Sequence, residues 1–125
     1  MAMAAGVGLG NMTSAWWVPT LAMPEAQWAR GQTRNMPVLI ERTLPHAIMV
    51  NREGKRFCNE AANYSALAGA FHAFDPASYA YPNLPAYLIF DSHYRERYPL
   101  SSIMPGTPLP EWVAQTGSLE ELAAQ

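Results

Sequence analysis

The sequence predicts an α+β fold built from short elements, and three observations support this. The chain has 125 residues, a length that suits one small domain. Half of the residues are hydrophobic and only 14% are charged, so the chain can bury a core. Eleven prolines and eight glycines interrupt any long helical period, which argues against a helical bundle and for mixed structure with long connections.

The first third of the chain predicts one helix and one irregular segment. The alanine, methionine and glycine run over residues 1–10 is typical of a close-packed helix, and its GxGxG spacing differs from the GxGxxG that binds a dinucleotide. Residues 11–36 predict no regular element. Trp16 and Trp17 are sequence neighbours and cannot both face one core in extended chain, so we expect one to pack inward and the other to line a surface or pocket. Two core or interface aromatics are an equally good interpretation.

The clearest local pattern is a β-hairpin. Ala47–Asn51 is a short apolar strand, and Arg52–Lys55 follows as a turn in which Gly54 supplies the positive φ angle. Arg56–Cys58 is the predicted returning strand.

A helix, a strand and two shorter helical segments complete the prediction. The helix runs from Ala61 to Phe74 with Asn59 as its N-cap. The continuous apolar run Ala86–Asp91 predicts a strand that is buried on both faces. His93–Tyr98 predicts one helical turn, and Ser118 begins a capping box that opens a last helix.

Charge and cysteine usage limit the classes of partner and metal site that we expect. The net charge is -2 and the eight basic residues are scattered, so we expect no nucleic-acid partner. The single cysteine, Cys58, excludes an internal disulfide and a cysteine metal cluster, and no histidine spacing suggests a metal site. No segment is long enough to span a membrane, so we expect a cytoplasmic protein. Both ends look cut within helices, which predicts an internal fragment of a longer protein.

The segment from Ile48 to Glu60 resembles the I-x-V-N-x-x-G-x-R-F-x-N-E motif of the fumarate reductase/succinate dehydrogenase flavoprotein superfamily, which includes the 3-ketosteroid dehydrogenases. The matching residues to which we assign structural roles are Asn51, Gly54, Arg56, Phe57, Asn59 and Glu60. In that superfamily the segment lies where an FAD-binding domain passes into a substrate cap. The resemblance implies that residues 1–47 belong to this junction, as a helix plus an irregular loop, and that residues 48–125 form part of the cap. It also implies FAD as the cofactor, bound mainly by segments that this chain lacks.

The resemblance assigns the chemistry to Tyr64, four residues after the motif's glutamate. In fumarate reductases this position resembles the site of a catalytic arginine. A tyrosine there resembles the 3-ketosteroid dehydrogenases, where it is the base that removes a proton beside the ketone. Because a phenol is an inefficient base while it is protonated, the site would need a nearby positive charge or hydrogen bonds to stabilise phenolate. Taken without the resemblance, Tyr64 could equally be a helix residue packed in the core.

The remaining candidates would line the substrate pocket. These are Trp16, Trp17, His46 and Met49, whose apolar and aromatic character suits a small hydrophobic ketone. Arg56 would tie the hairpin to a carboxylate or carbonyl, or else be a solvated strand residue.

The resemblance therefore predicts part of an FAD-dependent oxidoreductase that acts on a CH–CH bond next to a ketone and is inactive as this chain alone. One alternative is a fumarate reductase-like flavoprotein fragment for small acids. Another is a non-enzymatic α+β domain that binds a ligand or a partner. Apolar surface left exposed would allow self-association.

Overall fold

The computed structural model describes the backbone of residues 1–125 and every side chain except those at positions 25 and 26. It confirms the α+β fold class, with two separate two-stranded antiparallel sheets and short helices. The elements are β1 (Thr20–Gln27), β2 (Thr33–Pro37), β3 (Ala47–Val50), α1 (Tyr64–Phe71), β4 (Tyr87–Phe90), α2 (Ser92–Arg97) and α3 (Leu119–Ala123), with 3₁₀ turns at Met3–Ala5 and Glu41–Thr43.

The predicted helix over residues 1–10 is wrong. The segment forms a single 3₁₀ turn, Met3–Ala5, which ends at Gly6 with a φ angle of 73°. Each glycine in a helix interior costs about 1 kcal/mol relative to alanine. No residue of the segment is buried, so no packing offsets that cost at its three glycines.

The prediction that residues 11–36 are irregular is also wrong, because β1 and β2 pair as an antiparallel hairpin. Gly31, at a φ angle of 73°, closes the turn and donates its N–H to the Trp28 carbonyl at 2.9 Å. The Arg34 guanidinium lies 5.4 Å from the centre of the Trp28 ring, a cation–π contact across the hairpin. Pro24, inside β1, hides the strand from sequence patterns because proline removes a ladder donor.

The second sheet holds the predicted motif. β3 pairs with β4, as Ala47 opposite Phe90 through Val50 opposite Tyr87. The turn after β3 forms as predicted, with Gly54 at a φ angle of 70°. The returning strand is reduced to one bridge between Val50 and Arg56.

α1 confirms the predicted helix with shorter bounds, and its N-cap differs from the prediction. The Asn63 side chain caps the helix by accepting from the Ser65 N–H at 2.8 Å. Asn59 instead accepts from the Ala61 N–H at 3.0 Å and lies in a turn that precedes the helix. Asn59 was the wrong choice because residues 59–62 fold into that turn before helical geometry begins.

A small core fixes β3 and α1 relative to α2. Tyr94 of α2 is fully buried, and its hydroxyl donates to the Glu41 carbonyl at 3.1 Å. The other buried hydrophobic residues are Val38, Met49, Val50, Leu67, Leu100 and Ile103. Among the helices described, none is long and apolar enough to cross a membrane.

Candidate active site

The Glu60 carboxylate joins β3 to the turn that follows it. Glu60 is 4% exposed, and its Oε1 accepts from the Met49 backbone N–H at 2.8 Å. This contact lies on the edge of β3 where a returning strand would pair, which explains why that strand is only one bridge long. Arg56 donates through Nε at 2.9 Å to Oε1 and through Nη2 at 2.5 Å to Oε2. Arg56 therefore ties the hairpin to a carboxylate.

Glu60 is held ionised by these contacts. Burial by itself acts to raise the pKa of Glu60, but the hydrogen bonds from Arg56 and from the Met49 N–H outweigh burial and hold its pKa below the ordinary value of 4.5. Because both carboxylate oxygens already accept hydrogen bonds, the geometry suits a structural anchor better than a proton carrier.

The remaining motif residues also make local contacts. Asn51 Oδ1 accepts from the N–H groups of Glu53 and Lys55, each at 3.0 Å, and so shapes the turn. The Phe57 ring packs edge-on against Phe71 of α1, with ring centres 5.2 Å apart. These contacts fix the hairpin relative to the helix.

Tyr64 is the first residue of α1 and lines an open cleft of about 220 Å³. The other lining residues described are Trp16 and Val18, which precede β1, Pro37 at the end of β2, and Leu39, which follows β2. None of these described lining residues is charged. In the part of the chain whose side chains are described, no hydrogen bond to the Tyr64 hydroxyl is found.

The four predicted pocket residues occupy four different places. Trp16 lies beside Tyr64 in the cleft. Trp17 packs edge-on against His72, with ring centres 4.8 Å apart. Met49 is buried in the core beneath Glu60. His46 lines a second cleft, so the structure brings only Trp16 to Tyr64.

The second cleft, of about 270 Å³, lies at the start of β3 and the end of β4. His46 Nδ1 is 3.1 Å from Asp91 Oδ2, and the His93 ring centre lies 5.2 Å from that of His46. The Tyr94 backbone N–H, followed by His46 and His93, lowers the pKa of Asp91 below its ordinary value. Across the described residues, no group of three histidine, cysteine, aspartate or glutamate side chains could hold a metal ion.

Sequence reasoning missed Arg42, the most deeply buried charged side chain described. Its Nη1 donates to the backbone carbonyls of Glu60 and, at 2.9 Å, of Ala62. Burial lowers the pKa of Arg42 from its ordinary value. No local pattern could have revealed it, because both acceptors are backbone atoms more than fifteen positions away.

The three glycines near the start of the chain do not form a site for the diphosphate of FAD. Phosphates bind where a helix begins, whereas Gly6, Gly8 and Gly10 follow the end of a 3₁₀ turn. A Cβ atom at any of the three would meet nothing within 4 Å, so these glycines form no cradle for a ligand.

Comparison with known proteins adds four findings. A family model described as "FAD binding domain" matches residues 1–104. 4-Oxocyclohexanecarboxylate 2-dehydrogenase from Sinomonas cyclohexanicum is 36% identical over 125 residues, which are 100% of this chain and 21% of that protein. 3-Oxosteroid 1-dehydrogenase from Mycobacterium tuberculosis is 35% identical over 130 residues, covering 96% of this chain and 21% of the relative. The crystal structure of 3-ketosteroid delta1-dehydrogenase from Sterolibacterium denitrificans, in complex with 1,4-androstadiene-3,17-dione, matches with a TM-score of 0.60 and 34% identity over 79% of this chain and 17% of that one.

The fold and the motif are those of an α+β part of a flavoprotein, and its cofactor is FAD. The chain belongs to the FAD binding domain family. It spans about a fifth of the length of the curated relatives that it matches.

Proposed function

We propose that the chain is part of an FAD-dependent oxidoreductase acting on a CH–CH bond next to a ketone, and that Tyr64 is its catalytic base. The observation that carries the proposal is that Tyr64 lines an open cleft whose described lining is largely apolar. Two relatives support the reaction class, because 4-oxocyclohexanecarboxylate 2-dehydrogenase and 3-oxosteroid 1-dehydrogenase are both dehydrogenases of oxo compounds.

The chemistry divides between this chain and the cofactor. Carbon–hydrogen bonds beside a carbonyl are acidic enough for a well-placed phenolate to remove the proton. FAD, when bound, accepts the hydride from the neighbouring carbon. The position of Tyr64 at the start of a capped helix and on the wall of the cleft supports this role.

The lining of the cleft favours a hydrophobic ketone over a small acid. Carboxylates are held by fixed cationic donors, most often arginine. Among the residues whose side chains are described, none that lines the cleft around Tyr64 is charged, and position 64 itself is a tyrosine. Trp16, Val18 and Leu39 instead offer apolar contact to a bulky substrate.

The test uses the full-length protein that contains this chain, purified with its FAD. Tyr64→Phe should lower kcat with a 3-oxosteroid by on the order of 100-fold or more, because general base catalysis contributes at least that factor. The visible flavin spectrum should stay unchanged. Tyr87→Phe, a conservative change at an exposed tyrosine of β4, is the matched control and should keep full activity. Wild-type turnover by Tyr64→Phe would refute the assignment.

The proposal extends to two further properties. The 125-residue chain alone should show no turnover, since Gly6, Gly8 and Gly10 form no cradle for the FAD diphosphate. A 3-oxosteroid should be a better substrate of the full-length protein than fumarate, as steady-state rates with each compound would show.

A further inference from the structure

The proposed function leaves the buried arginine, Arg42, without a role. Arg42 is 3% exposed, and its Nη1 binds two backbone carbonyls. Its Nε–H has no hydrogen-bond partner among the described residues. A buried guanidinium that meets carbonyls and no carboxylate is costly, so the position is poorly explained by stability alone. Local conflicts of this kind concentrate at functional sites.

The two carbonyls that Arg42 binds belong to the turn that leads into α1. The Ala62 N–H donates to the Asn59 carbonyl at 2.9 Å, which closes this turn. Arg42 holds the carbonyls of Glu60 and Ala62 from inside the fold. Tyr64 follows only two residues after Ala62, so the two hydrogen bonds from Arg42 help to fix the backbone that carries the phenol.

We propose that Arg42 is a positioning residue for Tyr64, which fixes the turn ahead of the phenol by binding the Glu60 and Ala62 carbonyls. This inference rests on the proposed function.

The experiment compares four variants of the full-length flavoprotein, namely Arg42→Gln, Arg42→Lys, Tyr64→Phe and Arg95→Gln. Arg95 is the matched control because its guanidinium also binds two backbone carbonyls, those of Met104 and Thr107, at a site on α2. For each variant, kcat and KM for a 3-oxosteroid are measured, and bound FAD is quantified by its visible absorption.

Arg42→Gln should lower kcat by on the order of 100-fold, the effect of a small misplacement of a catalytic group. KM should change much less. Arg42→Lys keeps the charge but not the guanidinium that reaches both carbonyls, so its kcat should fall as well. Arg95→Gln should match the wild type in kcat and KM.

The outcomes separate this inference from the proposed function. Full turnover by Tyr64→Phe would defeat both. Loss of turnover by Tyr64→Phe, with Arg42→Gln equal to Arg95→Gln in kcat and KM, would defeat the role of Arg42 alone. If Arg42→Gln fails to retain FAD, the kcat of Arg42→Lys decides between the outcomes. A wild-type kcat for Arg42→Lys overturns the inference, and a reduced kcat supports it. Loss of FAD from both Arg42 variants would show a purely structural role and would also overturn it.

Discussion

Replacing Glu60 tests the anchor that joins β3 to its turn. Glu60→Gln keeps the shape of the side chain and one carbonyl oxygen for the Met49 N–H, but it removes the charge that Arg56 and Met49 share. Glu60→Ala removes the acceptor altogether. The two substitutions therefore separate the charge from the hydrogen bond.

The structure sets the size of each effect. A buried hydrogen bond to a charged group contributes about 1.5–3 kcal/mol and one between neutral groups about 0.5–1.5 kcal/mol. Glu60→Gln should thus lower the free energy of unfolding by about 1 kcal/mol. Glu60→Ala should lower it by about 3 kcal/mol, because the Met49 N–H is left without its acceptor. The Arg56 side chain is 58% exposed and can turn to water, so it adds little to either value.

The pH dependence of the effect has a definite sign. The pKa of Glu60 is lowered in the folded protein, so the stabilisation by its ionised form is fully present above the ordinary value of 4.5. It is lost as pH falls through the lower folded value. The difference between wild type and Glu60→Gln should accordingly be constant near neutral pH and close on acidification.

The assay is urea unfolding of the full-length protein, followed by circular dichroism at neutral and acidic pH. Glu53→Gln is the control, because Glu53 pairs with Lys55 at 2.6 Å on the exposed surface and should leave stability unchanged. Equal unfolding midpoints for Glu60→Gln and Glu53→Gln, or a gap that widens in acid, would refute the reasoning.

Three smaller predictions concern the backbone and the core. Gly54→Ala should lower the free energy of unfolding by about 1 kcal/mol, because Gly54 has a φ angle of 70°. Gly69→Ala, inside α1, should raise the free energy of unfolding by up to about 1 kcal/mol, because a Cβ there meets nothing within 4 Å. Urea titrations measure both changes. Asn63→Ala should cost about 1 kcal/mol through loss of the N-cap, seen as a lower Tm. Burial raises the pKa of Tyr94 to about 12. The stabilisation by its neutral phenol is therefore full below the ordinary pKa of about 10 and is lost as pH rises from there through about 12. The free energy of unfolding should fall over this range in the wild type and not in Tyr94→Phe.

Short-range patterns predicted both strands of the second sheet and the turn after β3, but not the pairing of β3 with β4. The expectation that the second strand is buried on both faces is wrong, because no residue of β4 is buried and Tyr87 is exposed. The sequence could not distinguish Asn59 from Asn63 as the N-cap, because both are good capping residues. Arg42 decides between them by holding the intervening turn, and its contacts exist only in the folded chain.

The first sheet and the cleft were beyond such patterns for another reason. Pro24 interrupts the alternation of β1, so the sequence hid the hairpin of β1 and β2. Trp16 and Tyr64 meet at the cleft through contacts that sequence spacing does not show. Trp16 and Trp17 do have different neighbours, Tyr64 and His72, but the expectation that one of them packs inward is wrong, because their exposed fractions are 88% and 49%.

The motif is best understood as a frame for position 64. Asn51, Arg56, Asn59 and Glu60 direct their polar atoms to the backbone, to one another or, for Asn51 Nδ2, to the Asn83 side chain. These contacts leave them poorly placed for chemistry. The Tyr64 hydroxyl has no hydrogen-bond partner among the side chains described, and Tyr64 lines the cleft. The proposed function therefore assigns the chemistry to position 64 and not to the motif residues.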